Sequence, residues 1–334
     1  MRKFILFFIF LFLFEPSFSL LIYGHRGARG LSPENTLVAY RKALTIGVNF
    51  IDMDVSMTKD GVLVVTHDYT LNKDITKDRQ GHWVKEGIFI KSLTLKQLQT
   101  YNVCALNPES AYAKYFKAQA SYPPCTIPTL EEVINMVRQF AGDHIGFQIE
   151  IKTNPTHPEW TFSPDVLARA LVSVIRDKGI EALTEVQAFD FRCLQAVQQL
   201  DPKIRTAYLT EYDSKKMMLN PDTKIAGLWT GGALLKNYHN SIPQLIEALG
   251  GRLWDPQDEE LNVAFVQEAH KLGLKVVVWS WPEYSGTEYD KTMMLKLIQW
   301  QVDGIITDRP DLLRQLMIQL HMPVPKPIII PTQA

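Results

Sequence analysis

The sequence carries almost no net charge: 35 lysines and arginines stand against 36 aspartates and glutamates in 334 residues. A near-neutral surface offers no broad attraction to nucleic acid or anionic lipid, so an anionic ligand must be caught by a local group of residues. There are only three cysteines, and none has the paired spacing of a zinc site. No internal repeat or low-complexity tract is present, which excludes solenoids and disordered linkers. The glycines of "GHRGARG" lack the GxGxxG order of a dinucleotide loop. What the chain has in quantity is apolar surface, 46% of residues, enough for one large α/β domain or two modest ones.

The one long apolar run lies at the start, in "MRKFILFFIFLFLFEPSFSL". Arg2 and Lys3 precede the greasy stretch Phe4 to Phe14, and Ser17 and Ser19 supply small residues before a cleavage point at Ser19-Leu20, the pattern of a signal peptide. The run falls short of the roughly 20 residues that span a bilayer, and Glu15-Pro16 interrupts it. Residues 1–19 are therefore expected to be a signal peptide, and 20–334 a single domain that works in the periplasm or outside the cell, with no stable membrane span. Export permits a disulfide between Cys104 and Cys125. Cys193, in the helically spaced "DFRCLQAVQQL", reads as a buried small side chain.

Eight apolar runs read as strands: "LLIYGH", "NFIDMDV", "HIGFQIEIK", "EVQAF", "KIRTAYLT", "GRLWDP", "LKVVVWSW" and "DGIITD". Amphipathic stretches such as "NTLVAYRKALTIG", "TLEEVINMVRQF" and "DVLARALVSVIRDKG" fall between them. Strands alternating with helices predict parallel βα units, and eight of them predict a (β/α)8 TIM barrel. "KIAGLWT" is a ninth strand candidate, and periodicity alone leaves a doubly wound open sheet in play. A long insertion at about 69–126, of polar turns, aromatics and one short helix, follows the second strand region and is expected beside the mouth of the barrel. Its expected work is substrate enclosure, with a stabilising surface insertion as the alternative. The proline-rich "VPKPIIIPTQA" is expected to run along the surface.

Chemistry-bearing residues gather near the ends of the early strands. In "NFIDMDVSM", period two points Asp52 and Asp54 to one side and Met53 to the other. Two adjacent carboxylates suit a hard dication, though an ion pair, an edge strand or a glycosidase acid pair would also present them. "QIEIKT" puts Glu150 and Lys152 on one face, with Ile151 facing packed side chains. His25 and His67 add two imidazoles able to move protons near neutral pH. Arg26 offers a fixed donor fork for phosphate oxygens, and Gly27 and Gly30 let the backbone approach closely. Arg29 has the weaker claim on a ligand, since a solvent-facing charge explains it as well.

"HRGARGLSPENTLVAY", "IDMDVSMTKDGVLVVTHD", "IEIK" and "DGIITDRP" resemble, in order and across nearly the whole mature chain, the glycerophosphodiester phosphodiesterase family, and in particular its exported bacterial members. The resemblance implies a (β/α)8 barrel that hydrolyses small-molecule glycerophosphodiesters to glycerol 3-phosphate and an alcohol with a divalent metal, Ca2+ or Mg2+. It implies catalytic His25 and His67, phosphate contacts from Arg26 and Lys152, and metal carboxylates Asp52, Asp54 and Glu150. Asp52 departs from the family's usual glutamate. Trp279 is implied as a pocket wall, with core packing as the alternative; Pro282 stands where the family often has asparagine. Glu34 is expected either to orient Arg26 or to cap a helix. Sequence leaves open a lysophospholipase D or phospholipase C-like activity on the same core, a non-enzymatic phosphoglycerol binder, and the oligomeric state.

Overall fold

The computed structural model describes residues 19–211, 226–280 and 291–331. The expected signal peptide, but for Ser19, and Pro282 lie outside them. Nine strands occur among the described residues: β1 (Leu21–Gly24), β2 (Phe50–Met57), β3 (Leu63–Val65), β4 (Gly146–Ile151), β5 (Thr184–Ala188), β6 (Arg205–Thr210), β7 (Leu253–Pro256), β8 (Lys275–Val278) and β9 (Gly304–Thr307). Eight pair in parallel, in the order β1-β9-β8-β7-β6-β5-β4-β2, and β1 pairs with β2 to close the ring. The architecture is the (β/α)8 barrel, and closure removes the open-sheet alternative. Each of the eight predicted strand segments overlaps one barrel strand, with β2 running two residues past its segment and β5 starting one residue before its own.

Both departures from the expected elements have physical reasons. In "KIAGLWT" the described residues Ala226–Trp229 form a short helix; a closed ring leaves no edge for another parallel strand. The ninth strand is β3, antiparallel to β2. The hairpin turns at Asp60-Gly61, where Gly61 has φ 82° and its N–H donates to Thr58 O at 3.0 Å. Asp-Gly between apolar runs is a hairpin signal that was present in the sequence.

The strands alternate as period two demands. Ile51, Met53 and Val55 of β2 and Phe147, Ile149 and Ile151 of β4 pack outward into the main core under the helices. Inside the barrel, Tyr23, Ala207, Leu209, Leu253, Val277, Trp279 and Ile306 form a second cluster. The helix Leu130–Ala141 shows how the outer layer is specified. Thr129 and Glu132 form a reciprocal capping box, with Thr129 N–H donating to Glu132 Oε2 at 2.7 Å and Glu132 N–H to Thr129 Oγ1 at 3.1 Å. Leu130, Val133, Ile134, Val137 and Ala141 then bury one face, and Gly142 ends the helix at φ 57°.

The insertion leaves the barrel after β3. It holds two short α-helices, Leu95–Leu98 and Ala111–Tyr115, and a 3-10 turn at Ile90–Ser92, rather than the one short helix expected. Its own apolar cluster of Leu71, Val84, Ile90, Leu98 and Val103 packs with Val64 and Ile127. Cys104 and Cys125 are disulfide-bonded, with Cα atoms 5.3 Å apart. Cys193 is fully buried in the helix Phe191–Leu200. The tail runs along the surface as expected: Ile328 N–H donates to Leu44 O at 2.9 Å, and Met322, Val324 and Ile328 pack on the core.

Gly27, just past β1, has φ 90°, and a Cβ there would lie 2.7 Å from the backbone carbon of Ala39. Left-handed backbone costs an L-residue about 1–2 kcal/mol before any clash. Gly27→Ala is expected to lower unfolding free energy by at least about that amount, read from the urea midpoint. An unchanged midpoint would mean the loop is not pinned there.

Candidate active site

The predicted site residues converge on the C-terminal mouth of the barrel. His25 and Arg26 follow β1, Asp52 and Asp54 lie in β2, and His67 follows β3. Glu150 lies one residue before the end of β4 with Lys152 just beyond it, and Trp279 follows β8. One cavity is lined by His25, Arg26, Asp52, His67, Glu150, Lys152 and Trp279. Asp54 stands at its edge, 3.1 Å from Lys152 Nζ and 3.4 Å from Arg26 Nε.

Each histidine is anchored at Nδ1 by an aspartate. His25 Nδ1 lies 2.7 Å from Asp308 Oδ1, and His67 Nδ1 lies 2.8 Å from Asp68 Oδ1. Asp68 is itself held by Asn72 Nδ2 at 2.8 Å. Burial opposes ionisation of both aspartates, but Arg29 and His25 hold Asp308 well below the usual range, and the bond to His67 helps hold Asp68 at about 2. A carboxylate cannot donate, so the proton of each short contact belongs on Nδ1, and Nε2 faces away from the anchoring acid. Burial lowers His25 to about 4, with Asp308 opposing and Arg29 adding. Burial, then Arg26 and Lys152, also lowers His67.

Arg29 is not the solvent-facing charge that its alternative reading offered. It is only 2% exposed and grips Asp308 with two bonds, Nε to Oδ1 and NH2 to Oδ2, both 2.8 Å. Its guanidinium lies 4.7 Å from the centre of the Phe116 ring, so an aromatic face from the insertion covers it. Glu34 takes the orienting alternative rather than the capping one, accepting from Arg26 NH1 at 2.8 Å. Thr36 caps the following helix Leu37–Ile46 instead. The Tyr112 hydroxyl, from the insertion, donates to the other oxygen of Glu34. Arg26 sits at φ 49°, a left-handed backbone a branched chain of contacts must hold in place. Burial would lower its pKa, but Glu34 and Asp54 raise it well above normal, so it stays cationic. Its buried Nε makes no hydrogen bond to protein.

The acids divide into balanced and unbalanced. Asp54 is held well below normal despite burial, because Lys152, His67 and Arg26 surround it and Asn35 donates to it at 2.8 Å. Burial pushes Glu150 up to about 7, with Lys152 opposing at 2.6 Å and Asp54 adding. Burial and then Asp54 push Asp52 well above the usual range, although it accepts from Arg26 N–H at 3.3 Å and Gln187 Nε2 at 2.6 Å. Gln187 lines the same cavity and has its Oε1 buried without a hydrogen-bond partner. Hard oxygens carrying unbalanced negative charge suit Mg2+ or Ca2+. Among the described residues, no three histidine, cysteine or acidic side chains are already gathered as a metal cluster; the Lys152 ammonium stands between Asp54 and Glu150. Trp279 lines the cavity, donates from Nε1 to Asp255 O at 2.9 Å, and meets Phe189 edge-on.

Sequence reasoning did not single out Asp308, Asn35, Gln187 or Tyr112. Asp308 stood in the quoted "DGIITDRP", and Gln187 shares the inward phase of "EVQAF" with Glu185. Tyr112 had no local signal.

Residues 25–312 match the glycerophosphoryl diester phosphodiesterase family. The chain belongs to that family. It is an enzyme of this phosphodiesterase class. It is 28% identical over 302 residues to a glycerophosphodiester phosphodiesterase of Bacillus subtilis, covering 89% of this chain and 86% of the relative. A crystal structure of a candidate glycerophosphoryl diester phosphodiesterase from Silicibacter pomeroyi superposes with TM-score 0.78 at 28% identity, over 92% of this chain and 95% of the other. An Oleispira antarctica phosphodiesterase, solved with its product sn-glycerol-3-phosphate, shares the fold at TM-score 0.64 and 20% identity, over 90% and 98% of the two chains.

With His25 lowered to about 4, its unprotonated form persists as pH falls below 6.5 and is lost through about 4. The acid limb of kcat/KM is expected to fall with a midpoint well below that of an ordinary histidine. Asp308→Asn removes the charge that favours the Nδ1–H tautomer and is expected to cut kcat by about 100-fold or more with a small KM change. An acid limb centred at 6.5, or a D308N variant with normal kcat, contradicts this account.

Proposed function

We propose that the chain hydrolyses glycerophosphodiesters to glycerol 3-phosphate and an alcohol, in the periplasm or outside the cell. The observation that carries the reading is the pair of aspartate-anchored histidines facing one cavity with Arg26 and Lys152. The product bound to the Oleispira antarctica relative supports glycerol 3-phosphate as the shared half of the substrate. The disulfide Cys104–Cys125 supports an oxidising compartment, and no helix among the described residues is long and apolar enough to cross a membrane.

Arg26 and Lys152 would take the phosphate oxygens and the charge that develops on them. His25, lowered by burial and carrying its proton on Nδ1, is the base. His67 is the acid for the leaving alcohol: the groove that continues from the cavity is lined by His67 and not by His25. Burial, then Arg26 and Lys152, depress His67, with Asp54 and the bond to Asp68 opposing. A phosphate seated on both cations would relieve their share of that push and favour the proton. The nucleophile is the neighbouring glycerol hydroxyl, because a group already in place avoids the entropic cost of ordering a water; the cyclic phosphate so formed is then hydrolysed. Asp52, Asp54 and Glu150 would hold Ca2+ or Mg2+, which when bound supplies positive charge to the phosphate.

Two measurements test this. Metal-stripped protein is expected to gain thermal stability on adding Ca2+ or Mg2+, with most of the gain lost in Asp52→Asn and Glu150→Gln. Equal shifts in all three proteins would remove these acids from the metal site. A diester lacking the glycerol hydroxyl next to phosphate is expected to lose turnover by about 100-fold or more, since effective molarities of placed groups are far larger than that; undiminished turnover would favour direct water attack.

A further inference from the structure

Beyond His67, Glu150, Lys152 and Phe189, which it shares with the catalytic cavity, a groove of about 840 Å³ opens along the insertion and the loop after β4. Three of the half-buried rings along it stand together, and Trp229 is a further ring in its lining. Tyr69 and Phe89 come from the insertion and Trp160 from the β4 loop, with ring centres 5.6 Å from Tyr69 to Trp160 and 6.0 Å from Phe89 to Trp160. The rings meet at 48° and 41° rather than stacking flat, so none lies face to face on another. Two of them have further partners: His157 stacks on Trp160 at 4.0 Å, and the Tyr69 hydroxyl donates to Thr153 O at 3.0 Å.

Away from the Lys152–Glu150 pair the charges lining the groove have one sign. Lys152 is taken by Asp54 and Glu150; among the described residues the other charged side chains lining it are the carboxylates Asp68 and Glu211, with His67, His157 and the Tyr69 hydroxyl as the remaining titratable groups. Aromatic rings grouped beside carboxylates favour a cation, and a quaternary ammonium gains most from the ring quadrupoles because it asks for no acceptors.

On this basis we infer that Tyr69, Phe89 and Trp160 form a cage for a quaternary ammonium on the leaving alcohol, making a choline-type glycerophosphodiester the preferred substrate. The inference rests on the hydrolase reading above and adds the residues that choose among its substrates. They act on the end of the substrate remote from phosphate, so their loss should appear in KM while kcat stays near normal.

The test uses the mature chain with glycerophosphocholine, glycerophosphoethanolamine and glycerophosphoglycerol. The intact enzyme is expected to prefer the choline diester over the ethanolamine diester by about tenfold in kcat/KM, the scale of one partly desolvated cation–π contact. Trp160→Ala should erase that preference through KM and leave the other two diesters within about twofold, while Trp160→Phe should keep most of it. No choline preference in the intact enzyme, or an equal loss by Trp160→Ala on all three diesters, overturns the cage. Turnover of none of them would sink the hydrolase reading itself. The cage is then judged by tetramethylammonium binding followed by calorimetry: binding that Trp160→Ala abolishes supports it, and no binding to the intact protein overturns it.

Discussion

Charge buried at the mouth of the barrel is the constraint around which the rest is arranged. Arg26, Arg29, Glu34, Asp52, Asp54, Glu150, Lys152 and Asp308 are each no more than 7% exposed. An unpaired ion removed from water to that degree costs several kcal/mol, so none can stand alone. The pairings are therefore interlocked: Arg29 with Asp308, Asp308 with His25, Arg26 with Glu34 and Asp54, Lys152 with Asp54 and Glu150. Three cations and five acids leave a deficit of positive charge. Its effect falls on Asp52 and Glu150, whose pKa values rise, while Asp54 and Asp308 are held down. The same imbalance that makes a cation welcome sets the state of each group beside it.

Such a network needs a rigid frame, and the insertion supplies part of it. Residues 105–124 lie between the two bonded cysteines, and this closed segment reaches back onto the loop after β1 through several residues, among them Ala120, whose N–H donates to Leu31 O at 3.0 Å. Tyr112 donates to Glu34, Phe116 covers Arg29, Tyr122 meets Ser32 at 2.9 Å, and Gln119 Nε2 donates to the carbonyls of Arg29 and Ser32. The cross-link limits the freedom of the segment before it docks, which lowers the entropic cost of holding Tyr112 on Glu34. The insertion is thus attached to the arginine that faces the ligand, while its Tyr69 and Phe89 line the groove beyond.

The barrel was legible because its signal is local and repeated. Eight apolar runs separated by helical periods admit few closures, and the inward phase of Asp52, Asp54, Glu150 and Lys152 follows from period two alone. Partners that cross the barrel were not legible. Asp308 lies 283 residues from His25, and Gln187 lies 135 from Asp52; no spacing rule connects them. Arg29 shows the failure most clearly. A lone arginine in a glycine-rich turn reads as solvated, and only the tertiary arrival of Asp308 and Phe116 makes its burial tolerable. Asp52 is the converse case, where a shorter acid than the family's usual one is met by a glutamine whose amide donates to it.

The two histidines, alike in sequence and in their Nδ1 anchors, are made unlike by what surrounds them. His25 is anchored through an aspartate that also carries a bidentate arginine, so its acid partner is fixed as an anion and its own charge is disfavoured by burial and by Arg29. His67 is anchored through an aspartate steadied by the neutral amide of Asn72 and by Arg26, and its charge is disfavoured by burial, then by Arg26 and Lys152. Those two cations are the ones a phosphate would neutralise, whereas Arg29 stays engaged with Asp308. An anion placed on Arg26 and Lys152 would relieve two of the charges that hold His67 down but only one, Arg26, of those that hold His25 down, so the proposed division into acid and base rests on the surroundings of the two rings rather than on the rings themselves.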